Sequence, residues 1–469
     1  MYRFILSLSA MLTITASFGQ QQYAGLWEGK MNVGVEIRIV FRISLDSNKL
    51  TASFDVPEQG LKGVKVQSVE IINDSIKLEL TQFKASYSGK LENDSLMNGY
   101  FQQQASMPLQ LKRVQYITEK IRAQTPVAPF PYRSEDIIYK NSDNTIQYGA
   151  TITIPNGKGP FPAVMLLTGS GQQNRDEEIS GHKSFAVIAD QLTKNGFIVL
   201  RADDRGMGQT TGEVESATSF DFSQDASVGI DYLLSRKEVD RNKIGFIGHS
   251  EGAMIAQLVS VNRSDINFIV SLAGPGTNIS QLMSEQNKAI FEKSGLPKEY
   301  ISNYQSFYDS MLQIIIQHDK KSSESILSQY LTQWIEATPA NIVLATTGIK
   351  DESSKKIFIN SFSSMANNDW FRFFVRYDPT EKIKQFKGHF LALNGDKDVQ
   401  VISQSNLRAI EQALKSGKAK SYEIHELKGL NHLFQECKLC TTYEYGQLEQ
   451  TISPIVLDLI TTWLKKITN

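Results

Sequence analysis

The stretch IGFIGHSEGAMIAQ, residues 244–257, contains the pattern Gly-x-Ser-x-Gly, filled by Gly248, His249, Ser250, Glu251 and Gly252. The apolar run before it is typical of a buried strand, and the run after it is typical of a helix. A sharp strand-to-helix turn that presents a serine needs small flanking residues, because larger ones would clash. The stretch predicts a nucleophilic serine, with an ordinary glycine-rich turn as the alternative that the rest of the chain must decide.

Strands alternate with helices on both sides of this turn. A leading β-pair is followed by buried-strand patterns at residues 163–169, 197–204, 243–249, 267–275, 389–398 and 421–432. Helical patterns cover residues 183–196, 222–237, 250–261 and 454–466. This order predicts an α/β fold over residues 133–469, a mostly parallel sheet with helices on both faces. Residues 276–386 carry helical patterns alone, at 300–317 and 325–337, and predict an inserted helical subdomain.

The chain before residue 133 has a different character. Residues 20–116 predict an all-β domain, a small sandwich or barrel. Short alternating stretches indicate its strands, at 35–45, 49–56, 66–72, 75–82 and 85–92. Residues 117–132 contain Pro126, Pro129 and Pro131, which favour an extended, semi-rigid linker between two domains.

The N-terminal segment MYRFILSLSAMLTITASFG has a charged start, a short apolar run and small residues at its end. This pattern predicts a secretory signal peptide over residues 1–19, and its apolar run is shorter than the ~20 residues of a membrane span. No later segment of the sequence is long and apolar enough to span a membrane. We therefore expect an exported protein, periplasmic or secreted.

The charge composition bears on whether the protein binds nucleic acid. The 49 basic and 50 acidic side chains leave a formal net charge of −1, and no block of the sequence is rich in Lys and Arg. Nucleic-acid binding needs a concentrated basic surface, so we expect no nucleic-acid partner.

A serine hydroxyl needs a base, and in this fold the chain order is serine, acid, histidine. Four histidines follow Ser250: His318, His389, His425 and His432. Only the last follows a strand, and the carboxyl end of that strand lies at the same sheet edge as the serine. His432 is therefore the predicted base. Asp398, in the loop after the preceding strand, is the predicted acid, and Asp396 is the alternative, better placed to shape the turn.

An ester or amide carbonyl needs two backbone donors for its developing oxyanion. One is the N–H after the nucleophile, at Glu251. The loop LLTGSGQQNRDEE follows the first central strand and indicates Ser170 as the second, because its flanking glycines allow close approach. The charged residues of RADDRG, with Arg175 and Asp176, favour an ion-pair network that fixes these loops over a direct role in binding.

Two cysteines, Cys437 and Cys440, form a C-x-x-C pattern. In an exported protein they favour a local disulfide, with free thiols and metal or redox chemistry as lesser alternatives. A zinc site needs further ligands at suitable spacing, and no other Cys or His supplies them. We expect no metal and no cofactor.

Five stretches, LLTGSGQQNRDE, RADDRGMGQTTG, GHSEG, LNGDKDVQV and GLNHLFQ, together resemble the α/β-hydrolase superfamily over residues 133–469. The closer resemblance is to bacterial exported esterases of the serine aminopeptidase-like or dienelactone hydrolase-like branch. It implies a triad of Ser250, Asp398 and His432, oxyanion donors at Ser170 and Glu251, and a cap formed by residues 276–386. The chain departs from many relatives in having Thr-Gly-Ser-Gly at 168–171 where they have His-Gly-Gly.

The sequence thus predicts a serine hydrolase that cleaves small-molecule carboxylic esters through an acyl-enzyme. One alternative is a peptidase, which needs an acid in the insertion to hold the substrate amine; the insertion offers Glu292, Asp309 and Glu336. Another is a non-catalytic binding protein on a hydrolase scaffold.

Two sets of aromatic residues remain open to interpretation. In the insertion, aromatics either line the site or form the insertion's own core: Tyr304, Phe307, Trp334, Trp370, Phe371 and Phe374. The N-terminal domain is expected to contact substrate or a partner surface such as carbohydrate, with Tyr87 and Tyr100 as candidate exposed aromatics.

Overall fold

The computed structural model describes residues 20–32, 36–47, 49–57, 61–83, 85–103, 106–117 and 122–469. The chain divides into two compact units. The first contains the described residues up to Arg122 together with Ile179–His182, and the second contains Ala123–Glu178 and Lys183–Asn469. The expected signal peptide at residues 1–19 and residues 118–121 of the expected linker lie outside the described residues.

The first unit is one antiparallel sheet of nine strands, in the order β4-β3-β2-β1-β9-β8-β7-β6-β5. Its strands are β1 (Gly25–Asn32), β2 (Glu36–Asp46), β3 (Lys49–Val56), β4 (Leu61–Lys65), β5 (Ser68–Ile72), β6 (Ser75–Leu80), β7 (Ala85–Asn93), β8 (Leu96–Gln102) and β9 (Ser106–Val114). The expected all-β character is confirmed. The sheet is a half-barrel and not a sandwich or closed barrel, because β1 pairs with β9 and leaves β4 and β5 at the edges.

Apolar and polar residues alternate along the strands of this unit, and the apolar ones form its core. In β6, Ile76, Leu78 and Leu80 are buried while the polar residues between them are only partly so, the two-residue period of a half-buried strand. Trp27 is fully buried, and the Arg113 guanidinium lies 4.4 Å from its ring centre. Tyr87 is also fully buried, so its proposed role as an exposed binding aromatic is wrong. Tyr100 is exposed.

The second unit contains an eight-stranded sheet in the order β10-β11-β15-β12-β16-β17-β18-β19. Its strands are β10 (Arg133–Lys140), β11 (Gln147–Ile154), β12 (Phe161–Leu167), β15 (Ile198–Ala202), β16 (Val239–His249), β17 (Phe268–Leu272), β18 (His389–Gly395) and β19 (Ser421–Leu427). Two strands of two residues each follow β12, namely β13 (Glu178–Ile179) and β14 (His182–Lys183). The leading pair is antiparallel, and from β15 onward every neighbouring pair is parallel.

Helices cover both faces of this sheet. They are α1 (Ser184–Lys194), α2 (Ser219–Ser235), α3 (Glu251–Asn262), α11 (Ser403–Lys415) and α12 (Pro454–Thr468). In β12, Met165 and Leu167 join the core with α2, α3 and α11, whereas Val164 and Leu166 join the core with α1 and α12. A strand buried on both faces reads as a continuous apolar run, which is why the central strands are visible in the sequence.

Seven helices lie between β17 and β18. They are α4 (Ile279–Lys293), α5 (Lys298–Gln317), α6 (Lys320–Ala337), α7 (Ala340–Thr347), α8 (Glu352–Asn367), α9 (Asp369–Val375) and α10 (Thr380–Gln385). Residues of α5, α6, α8 and α9 form a separate apolar core. Among the described residues, no helix combines the length and apolar character that crossing a membrane requires.

Candidate active site

The turn between β16 and α3 has the geometry that the opening stretch predicts. Ser250 has φ 52° and ψ −117°, a backbone conformation that costs a non-glycine residue about 1–3 kcal/mol and concentrates at functional sites. A Cβ at Gly248 would collide with the backbone of Gly252, and one at Gly252 would collide with the Leu167 carbonyl. Both positions therefore require glycine, and the serine is held at the carboxyl edge of the sheet.

His432 and Asp398 meet at the same edge. The His432 Nδ1–H donates to Asp398 Oδ2 at 2.7 Å, and both side chains are buried. The other carboxylate oxygen, Oδ1, accepts the backbone N–H groups of Gln400 and Val401 at 2.7 and 2.9 Å. A proton on Nδ1 leaves Nε2 as the basic nitrogen. Asp396 instead accepts the Gly429 N–H at 2.6 Å and pairs with Lys397, so it shapes the turn.

A second buried pair, His249 and Glu177, lies next to the turn that presents Ser250. The two ring nitrogens of His249 both face acceptors: Glu177 Oε1 at 2.9 Å and the backbone carbonyl of His432 at 3.0 Å. Acceptors on both sides favour a protonated ring that donates from both nitrogens. Burial opposes this charge, but the Glu177 carboxylate outweighs it and raises the pKa of His249 above its usual value. The rings of His249 and His432 lie 4.7 Å apart.

Glu177 also reaches the loop after β12. The same oxygen that accepts from His249 accepts the Gly169 N–H at 2.8 Å. The Glu177 carboxylate thus joins the loop after β12, which we call the oxyanion loop (residues 168–173), to His249 in the turn before α3. His249 in turn contacts the backbone of His432, the predicted base. The sequence offered Glu177 only as one acid in the run Asp-Glu-Glu at 176–178, with no signal that it faces His249.

Asp204 holds the oxyanion loop at both ends. The Thr168 hydroxyl donates to Asp204 Oδ1 at 2.7 Å, and the Gln173 N–H donates to Oδ2 at 2.8 Å. Burial is the main cause that raises the pKa of Asp204 to about 8, with smaller contributions from Glu177 and Glu251. The loop between these two contacts contains Ser170, the expected oxyanion donor.

A cavity of about 520 Å³ opens beside this loop. Small-molecule sites typically span ~300–1,000 Å³ and are mostly apolar. Its apolar wall includes Met165, Leu167, Phe222, Ala226, Ile255 and Trp370. Within the described part of the chain, its lining contains Ser170 and Glu251, the two expected oxyanion donors, but neither Ser250 nor His432.

Parts of the chain are similar in sequence to known hydrolases. The family model described as serine aminopeptidase, S33, matches residues 180–343. Esterase EstD of Thermotoga maritima is 36% identical over 137 residues, 29% of this chain and 32% of that protein. The putative hydrolase YtaP of Bacillus subtilis is 30% identical over 131 residues, 24% of this chain and 44% of that protein. In these parts the chain is similar to esterase-like α/β-hydrolases.

The chain spans less than half the length of either curated relative that it matches. Two solved structures are similar to it at low identity. The Pyrococcus furiosus esterase PF2001 covers 72% of this chain and 90% of its own, with 14% identity and a TM-score of 0.43. A dienelactone hydrolase from Anabaena variabilis covers 72% and 99%, with 13% identity and a TM-score of 0.39.

Most of the charged residues of these loops are paired with one another. Arg175 and Asp203 are 2.7 Å apart, and Arg205 and Asp225 are 2.8 Å apart. Arg201 pairs with Asp176. The expected ion-pair network is therefore present, and Asp203 and Arg205 also line the cavity.

The residues that follow the C-x-x-C segment contact the loop of the predicted acid. Cys437 and Cys440 form a disulfide, and the Glu444 carboxylate accepts the backbone N–H groups of the residues between them and of Cys440. Tyr445 accepts a hydrogen bond from the Gln400 side chain at 3.0 Å. Among the described residues, the two cysteines and Glu444 are the one group at metal-like spacing, and both sulfurs are in the disulfide.

The aromatic residues of the insertion divide into two sets. Trp370 lines the cavity. Tyr304, Phe307 and Phe371 are buried in the insertion's own core, and Trp334 packs against that core. The acids considered for amine binding point elsewhere: Glu292, Asp309 and Glu336 are exposed on the insertion surface.

Proposed function

We propose that the chain hydrolyses carboxylic esters through Ser250, His432 and Asp398. The observation that carries this proposal is the buried 2.7 Å hydrogen bond between His432 and Asp398, at the same sheet edge as the strained Ser250. All three residue types occur in the chain order that this fold uses. A non-catalytic binding protein on the same scaffold has no need to retain that arrangement.

The chemistry follows from the positions of the protons. Ser250 Oγ attacks the acyl carbon while His432 Nε2 accepts the hydroxyl proton, and Asp398 stabilises the imidazolium that forms. The N–H groups of Ser170 and Glu251 donate to the oxyanion. The carbon–oxygen bond to the alcohol then breaks, and His432 returns the proton to the departing oxygen. Water, deprotonated by His432, attacks the acyl-enzyme and releases the acid.

The cavity beside the oxyanion loop fits the acyl group. The leaving alcohol must lie next to His432, which protonates it, whereas the lining includes both oxyanion residues and omits His432. The insertion supplies Asn368 and Trp370 to that lining, so we propose that residues 276–386 act as a cap that selects the acyl group. Each methylene buried in the cavity contributes about 0.8 kcal/mol, roughly fourfold in kcat/KM.

Two of the five carboxyls in the cavity wall lie beside the expected oxyanion donors, and these two favour an uncharged acyl group over an aminoacyl group. Glu251 and Asp204 both have pKa values raised by burial, and both already accept hydrogen bonds from protein donors. An ammonium group is held best by an ionised carboxylate with acceptor capacity to spare. At these two positions the peptidase alternative therefore has weaker support than the esterase, whereas Glu215, also in the cavity wall, is exposed.

We also propose that the protein works outside the cytoplasm, in the periplasm or as a secreted enzyme. The signal-peptide pattern at residues 1–19 supports export. The disulfide between Cys437 and Cys440 fits an oxidising compartment.

The test is hydrolysis of p-nitrophenyl esters from acetate to decanoate, beside an aminoacyl p-nitroanilide, with a fluorophosphonate probe for the nucleophile. We expect ester turnover that peaks at one chain length and disappears in Ser250→Ala. Turnover should persist in the control Ser260→Ala, which changes a buried serine in α3, the helix that Ser250 precedes. Turnover of the anilide alone would favour the peptidase. Folded protein that neither turns over substrate nor reacts with the probe would refute the triad.

A further inference from the structure

Glu251 carries a buried carboxyl directly after the nucleophile. Its side chain is 3% exposed, and burial raises its pKa. An acid in the first turn of a helix commonly faces solvent, where it interacts with the positive end of the helix dipole. A buried carboxyl needs hydrogen-bond partners, because an unsatisfied one is strongly destabilising.

The partners of this carboxyl come from two separate segments. Ser219, the first residue of α2, donates its hydroxyl to Glu251 Oε1 at 2.5 Å. Trp370, in α9 of the insertion, donates its indole N–H to the same oxygen at 2.8 Å. Ser170, in the loop after β12, lines the same cavity as Glu251 and Trp370. One side chain thus joins the insertion to the start of α2 beside the expected oxyanion donors.

We propose that Glu251 is a positioning residue that couples the insertion to the oxyanion site, an inference that rests on the proposed function. One expected oxyanion donor is the backbone N–H of Glu251, and the side chain of this same residue accepts the Trp370 N–H. The second expected donor, the Ser170 N–H, belongs to a residue that lines the same cavity as Glu251 and Trp370. Trp370 thus fastens the insertion to the residue that carries one donor, so the oxyanion site is complete only when α9 lies against it.

Trp370 is suited to this connection. It is the one aromatic side chain of the insertion that lines the cavity, and its ring stacks on Phe374 at 4.9 Å. Replacing it with phenylalanine keeps an aromatic ring and removes the N–H. The insertion offers a matched control in Trp334, whose indole N–H donates to Asn303 at 3.2 Å, away from the cavity lining.

The experiment compares Glu251→Ala, Glu251→Gln, Trp370→Phe and Trp334→Phe on the acetate ester, with active sites counted by fluorophosphonate. Loss or displacement of one oxyanion donor lowers kcat by about 100-fold or more, so we expect a loss of that order in Glu251→Ala with little change in KM. We expect Glu251→Gln to recover at least about tenfold of it, because the amide oxygen accepts the same two hydrogen bonds. Trp370→Phe should lower kcat about tenfold, and Trp334→Phe should leave it unchanged.

A double-mutant cycle separates coupling from general damage. If Glu251 and Trp370 act through one contact, Glu251→Ala with Trp370→Phe is no slower than Glu251→Ala alone. Effects that multiply in the double variant would overturn the proposal. So would a glutamine variant as impaired as the alanine variant, since the carboxyl would then act through its charge.

Hydrogen exchange supplies a readout that does not depend on turnover. We expect backbone amides of residues 366–377 to exchange at least about tenfold faster in Glu251→Ala than in wild type, and unchanged exchange would overturn the coupling. Absence of turnover and probe labelling in the wild type would instead overturn the proposed function, while the exchange result would still decide the contact.

Discussion

The half-buried carboxyl of Asp204 faces the cavity and clamps the oxyanion loop through the Thr168 hydroxyl and the Gln173 N–H. Burial raises its pKa from the usual 3.8 to about 8, so the neutral form dominates by about ten to one at neutral pH. Asparagine reproduces that neutral form, because its oxygen can accept from Gln173 and its amide can donate to the Thr168 oxygen. Asp204→Asn therefore tests the protonation state directly.

The magnitude follows from proton linkage. Between about pH 4 and about pH 8 the folded protein keeps a proton on Asp204 that the unfolded chain has released, so wild-type stability falls as pH rises. The slope is at most about 1.4 kcal/mol per pH unit, and the whole window amounts to at most about 5–6 kcal/mol. Water in the open cavity screens the charge, so we expect about half of that. Asp204→Asn should match wild type near pH 4 and exceed its free energy of unfolding by about 2–3 kcal/mol near pH 9.

Urea unfolding followed by tryptophan fluorescence across this pH range measures the difference. Asp396→Asn is a control of opposite sign. Although burial opposes it, the hydrogen bond from Lys397 leads the causes that lower the Asp396 pKa below 3.8, so that variant should be less stable than wild type by a nearly constant amount from about pH 4 to pH 9. A pH-independent difference between Asp204→Asn and wild type would refute the assignment of a neutral Asp204. In the same variant, the fall of kcat/KM above about pH 8 should weaken, because no charge develops beside the oxyanion.

Three further predictions concern the triad, the disulfide and the cavity. Asp398→Asn should lower kcat by about 10⁴-fold with little change in KM, because the wrong His432 tautomer is then stabilised. Steady-state kinetics measures both constants. Replacing Cys437 and Cys440 together with serine should cost about 2 kcal/mol of unfolding free energy, and reductant should then lower the wild-type midpoint but not that of the variant. Ala226→Leu fills the cavity wall, so the preferred ester should become shorter and decanoate turnover should fall at least about tenfold, while Val228→Leu on the same helix should keep the wild-type preference.

The central sheet could be predicted from the sequence because its strands are buried on both faces and therefore apolar throughout. The half-barrel was harder to predict from the sequence. Its strand β8 contains Gly99 and its strand β9 contains Pro108, residues that weaken a strand pattern. The pairing of β1 with β9 joins Leu26 to Val114, a contact that no local pattern encodes. Tyr87 looked like an exposed aromatic between two serines, yet its face of the sheet is the buried one.

The candidate site divides in the same way. Ser250, Asp398 and His432 each follow a recognisable strand, so chain order and sheet edge were enough to select them. Glu177 and the side chain of Glu251 had no such signal. Their partners lie 72 and 119 residues away along the chain, at His249 and Trp370. Only the folded chain brings an acid and its distant donor together.

The carboxyls around Ser250 differ in environment in the way that the proposed ester hydrolysis requires. On the side of the base, Asp398 accepts three hydrogen bonds and faces the nitrogen that must carry positive charge in the transition state. On the side of the cavity, Asp204 and Glu251 have raised pKa values and lie near the expected oxyanion donors. An ionised carboxylate there would repel the developing oxyanion, whereas a neutral carboxyl does not. Burial thus disfavours negative charge on the two carboxyls beside the expected oxyanion donors, while hydrogen bonds favour it on the carboxyl that faces the predicted base.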